Sequence, residues 1–223
     1  MSGGPYITRL AAWAPGIGNS GEWNEWAQGR REIASGAKGP EIAFTDSLFR
    51  RRLSQISRMT VQVVHDLLPV EENTKMLFVS FRGELVRQYQ INKMLIEEKT
   101  LMPAAFSLSV FNAPAALASI ALGLKGGYSA LYPGNNSFAA ALAAAEAALL
   151  SDTEELIFVY ADEEAPPEYG RYCNEGLPAL AFALLLTRAP QSSSIPLSSF
   201  KEEGGPLDFL RRLLLCGQLY ASS

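Results

Sequence analysis

Residues 125–150 read KGGYSALYPGNNSFAAALAAAEAALL. A short strand of small and aromatic residues runs into Pro133-Gly134, and an alanine-rich helix starts at once. In a nucleophile elbow this arrangement places a reactive side chain at the mouth of a helix, where the positive end of the helix dipole stabilises a thiolate or alkoxide. Here the tip is Asn135, a residue that donates and accepts hydrogen bonds but supplies no nucleophile. The helix, predicted from about Asn136 to Leu150, is almost pure alanine and leucine, so neighbours can approach closely on nearly every face. It reads as a central helix sandwiched between layers with its N-terminus at a site. Core packing alone accounts for the same composition.

Working outward, segments of strand and helix character alternate. Residues 6–14 (YITRLAAWA) form a first strand ended by Pro15-Gly16, and the stretch with Trp23 and Trp26 reads as a surface loop or short helix. Asp46 offers an N-cap, and behind it Phe49, Leu53, Ile56, Thr60, Val63 and Leu67 form one stripe of a helix stopped by Pro69. Residues 75–81 (KMLFVSF), 156–162 (LIFVYAD) and 178–187 (PALAFALLLT) are apolar runs of buried-strand length. Residues 83–99 read as a helix with Leu85, Tyr89, Asn92 and Ile96 on one side, and residues 113–122 as a small-residue helix. After Ala189 the composition turns to Ser, Pro and Gly, a flexible link before an amphipathic helix over 207–220. The alternation predicts a single α/β domain over 1–223, a mostly parallel mixed sheet with helices on both faces, its segment 190–223 being link plus terminal helix.

The 223 residues suffice for one sizeable core, and a net charge of -4 argues against a nucleic-acid partner, which would need a surplus of clustered Lys and Arg. The basic run Arg50-Arg51-Arg52 reads first as a solvated helix face. Cys173 and Cys216 stand in no metal-like or CxxC spacing, which fits a reducing cytoplasm. The start carries no secretory pattern, and the apolar stretches are too interrupted to span a bilayer. The one histidine, His65, falls near a helix C-terminus, where a cation is favourable, so zinc or general-base chemistry has little to draw on and no cofactor is expected.

Residues 123–150, followed by EELIFVYADE, resemble the ketosynthase segment in which a short strand carries the active-site cysteine into a buried helix. With Gly126 as anchor, the cysteine position falls on Asn135. The likeness is stronger to the β-ketoacyl synthase-like N-terminal domain proteins, truncated or chain-length-factor-like members of aryl-polyene and related type II polyketide gene sets. It is carried by FRRRLSQISR (49–58), FVSFRGE (78–84), PAAFSLSVFNAPAALASIAL (103–122) and VYADE (159–163), and runs from about Tyr6 to Thr187. The resemblance implies a thiolase-like half-fold. It also implies two departures: condensation in ketosynthases uses the cysteine with two histidines of a second half that this sequence does not reach, and the truncated group's histidine before the Asn-Ala pair is Phe111 here.

The implied role is a non-catalytic subunit that docks on a full-length ketosynthase, or on another copy of itself as a dimer, and helps shape the pocket for an acyl chain on acyl carrier protein. Phe111, Asn112, Asn135 and Asn136 are its candidate contacts, and Arg50, Arg51, Arg52, Arg58 and Arg87 its candidate face for the acidic carrier. The alternative is an acyl-thioester hydrolase or transferase with Ser137 or Cys173 as nucleophile, although Ser137 lacks a GxSxG setting and reads first as a hydrogen-bonding residue at the helix start. A third reading is a small-molecule module with a pocket near Phe111. Arg82 and Glu84, ending a buried strand, read as an ion pair or ligand contacts; Asp162, Glu163 and Glu164 read as solvated charge.

Overall fold

A computed structural model describes residues 4–36, 38–101, 103–134, 137–151, 153–172, 177–200 and 204–217. Its strands are β1 (Tyr6–Trp13), β2 (Lys75–Val79), β3 (Tyr128–Leu131), β4 (Glu155–Asp162), β5 (Leu180–Thr187) and β6 (Ile195–Pro196), in the spatial order β3-β2-β4-β5-β1-β6. Its helices are α1 (Ser20–Ala27), α2 (Ser47–Arg52), α3 (Gln55–Asp66), α4 (Leu85–Glu97), α5 (Pro103–Ser107), α6 (Ala113–Leu122), α7 (Phe138–Ser151) and α8 (Pro206–Cys216). The expected mixed sheet with helices is present. Its parallel pairings are β2 with β3 and with β4; β5 runs back between β4 and β1, so the pairs β4–β5, β5–β1 and β1–β6 are antiparallel. Strands β1 to β4 therefore share one direction even though most neighbouring pairs do not.

The period of two along β4 and β5 divides the core. Leu156, Phe158, Tyr160, Leu180, Phe182 and Leu184 face a layer shared with α1, α7 and α8, whereas Ile157, Val159, Ala161, Ala181 and Ala183 face one shared with α3 and α6. All are essentially buried, which explains why both strands are apolar without interruption. Alanines on the second face let α3 lie close over β1, β4 and β5, with Ile56, Met59, Val63 and Leu67 all inaccessible.

Several elements differ from the sequence reading. The predicted long helix over 46–68 is two: Asp46 caps α2 by accepting from Leu48 and Phe49 amides, and Ser54 caps α3 by accepting from Ser57. Trp23 and Trp26 are buried, not superficial, because α1 packs on α8, where the Arg211 guanidinium lies 5.1 Å from the Trp26 ring. The stripe of α4 is not covered: Ile91 is its buried residue, and Ile96 is 69% exposed. The Ser/Pro-rich link contributes β6 and a 3-10 turn at Leu197–Phe200 whose Leu197 and Phe200 enter the core. Helix α7 is covered on one side, with Phe138, Ala141, Leu142, Ala145 and Leu149 buried, while Ala140, Ala143, Ala147 and Leu150 are exposed.

Candidate functional site

Helix α7 is set on the sheet by its first residue. The Phe138 ring lies 5.2–6.1 Å from Phe158, Tyr160, Phe182 and Phe209, so β4, β5 and α8 together hold the helix start in one position. Just before it, the Ser137 hydroxyl accepts from the Ala140 amide at 3.3 Å and its own amide donates to the Gly134 carbonyl. The Ala140 amide is thus shared between the Ser137 hydroxyl and the Ser137 carbonyl, at 3.1 Å to the latter, within the first turn. Asn135, Asn136 and Cys173 lie outside the described residues. Cys216 is exposed. His65 sits in the last turn of α3, stacked on Phe44 with centroids 3.6 Å apart and 3.0 Å from Asp66, far in sequence from the elbow.

Phe111 covers the loop that leaves β2. Its ring packs edge-on to Phe78 at 6.1 Å and lies over Gly83, where a Cβ would come within 2.6 Å of Cδ2. Gly83 also has φ +56, so glycine is required there on two counts. Asn112 reaches the neighbouring edge strand, donating from Nδ2 to the Tyr128 hydroxyl at 3.3 Å. Phe111 and Asn112 thus join the β2–α4 loop to β3, where Tyr128 and, just after the strand, Tyr132 are exposed.

The strand ends conceal a buried acidic group, which corrects the reading of Asp162 and Glu163 as solvated. Both are 2% exposed and Glu84 is 0% exposed; Glu164 is half-buried and accepts from the Gly36 amide. Residue 162 is still paired within β4, opposite Leu180, so its side chain stays beneath the loop instead of emerging. Asp162 accepts from the Ser80 hydroxyl at 2.6 Å, the Tyr160 hydroxyl at 2.8 Å and the amides of Phe81 and Arg82, both at 3.0 Å. Burial raises the carboxyl's pKa, and these donors oppose that rise. Tyr160 is pushed well above the usual tyrosine range by its burial and by the adjacent Asp162.

Glu84 accepts from Ser54 at 2.7 Å, Ser57 at 2.8 Å and Arg87 at 3.1 Å. The pairing expected between Arg82 and Glu84 is replaced by Arg87–Glu84, one helical turn apart, while Arg82 donates to the Glu163 carbonyl at 2.6 Å. Ser54, Ser57, Ser80 and Tyr160 are the contributors that sequence reasoning missed. Their sole signal is a polar residue placed beside apolar runs.

Among the basic candidates, Arg50 donates to the carbonyls of Ala43 and Thr45, and Arg58 to those of Pro40 and Arg50. Arg87 joins Glu84 to the Arg52 carbonyl. Arg51 and Arg52 are exposed. Three of the five guanidinium groups therefore hold loops together, and α2 presents the other two. Among the described residues no group of three His, Cys, Asp or Glu is arranged to hold a metal, and no helix is long and apolar enough to cross a membrane.

No curated protein matches the chain. Among solved structures, a chain of the ketosynthase ApeO in complex with its chain length factor ApeC, from Xenorhabdus doucetiae, superposes with TM-score 0.74 at 26% identity, over 96% of this chain and 93% of that one. The ishigamide ketosynthase/chain length factor gives TM-score 0.67 at 16% identity, covering 87% of this chain and 64% of that chain. A type II polyketide ketosynthase complex with its acyl carrier protein, AntDE:AntF, gives 0.64 at 14% identity, covering 84% and 63%. The chain thus spans slightly under two thirds of the latter two, which share its fold. Residues 23–204, well over half of the sequence, match the family model for the N-terminal domain of β-ketoacyl synthases. With its mixed sheet, its elbow and its Ala/Leu helix in that order, the chain belongs to the β-ketoacyl synthase N-terminal domain family.

Proposed function

We propose that this protein is a non-catalytic, chain-length-factor-like subunit that docks on a ketosynthase and assists assembly of an aryl-polyene or related chain carried on acyl carrier protein. The observation that carries the reading is α7. A helix apolar all round is ordinarily buried on all sides, yet Ala140, Ala143, Ala147 and Leu150 lie in one exposed stripe. Edge strand β3, paired on one side with β2, leaves its other side and the Tyr128 and Tyr132 rings accessible next to Asn112. A partner subunit supplies the missing cover. Similarity to one chain of a ketosynthase–chain length factor complex over nearly its whole length supports the same role.

The chemistry is consistent with this reading. The position aligned with the ketosynthase cysteine is Asn135, and the single histidine of the sequence stands at the end of α3. The Ser137 oxygen accepts from a helix amide, so the arrangement offers it a capping role. The exposed Arg51 and Arg52 are the remaining candidates to steer an acidic carrier protein.

Co-purification and size-exclusion chromatography with a full-length type II ketosynthase from the same organism test the proposal. A stable complex is expected, and Leu150→Arg together with Tyr132→Asp abolishes it. A wild-type protein that elutes alone from that mixture refutes the docking role. Turnover of an acyl-thioester by the isolated chain, lost in Ser137→Ala or Cys173→Ala, replaces it with the hydrolase alternative.

A further inference from the structure

Glu163 stands apart from the other buried carboxyls. Asp162 and Glu84 are surrounded by donors, whereas Glu163 Oε1 is fully buried without a hydrogen-bond partner among the described residues. A buried carboxylate oxygen left without a donor is costly, and a proton on the group removes the charge that makes it so. The charged and titratable groups around it are Glu84 at the N-cap of α4, Arg87 within α4, Asp162 from β4 and Arg82 from the loop after β2; α3 presents the Ile56 backbone amide. Both arginines are engaged elsewhere: Arg87 on the Glu84 carboxylate, Arg82 on the Glu163 carbonyl. Glu163 thus adds a further carboxyl beside Glu84 and Asp162.

We propose that Glu84, Asp162 and Glu163 form a proton-dependent latch, in which a neutral Glu163 lets Glu84 hold the start of α3 to the start of α4, and loss of that proton loosens the β2–α4 loop. Glu84 bonds Ser54 and Ser57 at the first turn of α3 and Arg87 in α4, so a new negative charge on Glu163 acts on a side chain that joins these elements. The β2–α4 loop, residues 80–84, lies beneath Phe111 and is bound to Asp162 through Ser80, Phe81 and Arg82. Burial, followed by the Glu84 charge, raises the Glu163 carboxyl from 4.5 to about 8, against the opposing pull of the Ile56 amide.

The direction follows from proton linkage. Between 4.5 and about 8 the folded chain retains a proton at Glu163 that the unfolded chain has lost. The stability from this group is full below 4.5, falls as pH rises through the window and levels above about 8. Glu163→Gln keeps the shape and stays neutral.

Urea unfolding and hydrogen exchange of both proteins across this range test the latch. The midpoint of the wild type is expected to fall relative to Glu163→Gln up to about pH 8 and then run parallel to it. After correction for intrinsic rates, exchange of residues 80–84 at about pH 9 is at least about tenfold faster in the wild type than in Glu163→Gln. Midpoints that stay parallel throughout, or loop exchange equal in the two proteins, overturn the proposal. If Glu163→Gln does not fold, Glu84→Gln decides: removing the neighbouring charge moves the wild-type step to lower pH, and an unmoved step overturns the latch. None of these readouts depends on a partner subunit.

Discussion

Asp162 accepts four hydrogen bonds, two from hydroxyls and two from amides, and thereby fixes the path of the chain leaving β2. Replacing it with Ala leaves buried donors without acceptors and costs about 3 kcal/mol, read as a lowered urea midpoint. Gly83 makes a sharper test, because its strain and its neighbour can be separated. Gly83→Ala is expected to cost about 2 kcal/mol from positive φ and collision with Phe111 together. In a Phe111→Ala background the collision disappears and the backbone penalty remains, so the cost of Gly83→Ala falls to about 1 kcal/mol. Equal costs in both backgrounds contradict the packing of Phe111 on Gly83.

Among the elements, α3 shows how a cap can serve two structures. Ser54 accepts from the Ser57 amide and donates its hydroxyl to Glu84, so Ser54→Ala is expected to lower stability by about 2 kcal/mol, measured by chemical denaturation. Helix α7 responds differently on its two sides. Ala141→Leu and Ala145→Leu add bulk where both alanines are inaccessible, and each costs about 1–3 kcal/mol. Ala143→Leu and Ala147→Leu, on the exposed stripe, leave the isolated chain's stability within about 0.5 kcal/mol and weaken association with the ketosynthase. Strand β3 begins after another close approach: a Cβ on Gly126 would fall 2.2 Å from the Asn73 carbonyl oxygen. Gly126→Ala therefore displaces the edge strand that carries Tyr128.

For the whole molecule, the consequence is an uneven surface. One side of the sheet is closed by α3 and α6, the other by α1, α7 and α8, yet the Ala/Leu stripe and the β3 edge remain open. With a net charge of -4, the proposed docking of an acidic carrier protein requires local positive charge. Arg51→Glu with Arg52→Glu is expected to slow carrier association about tenfold at low salt, and the difference shrinks as ionic strength rises. A salt-independent rate equal to that of the wild type removes α2 from the docking face.

Much of this architecture was legible in the sequence, because it rests on local rules. The apolar runs at 75–81 and 156–162 identify strands covered on both faces, Asp46 marks a helix start, and the order from Gly126 to the Ala/Leu run identifies the elbow and its family. The sequence also places Asn135 after Pro133-Gly134, at the position that the resemblance to ketosynthases gives to their cysteine. Tertiary structure alone decided that β5 lies antiparallel between β4 and β1, that Arg87 and not Arg82 pairs with Glu84, and that Asp162 and Glu163 are buried. Those outcomes depend on contacts between residues such as Ser80 and Asp162, 82 positions apart. Hydrophobic period reports which face of an element is covered, but partners brought together by chain crossing leave no period to read, and a charged residue at a strand end looks the same whether water or another strand surrounds it.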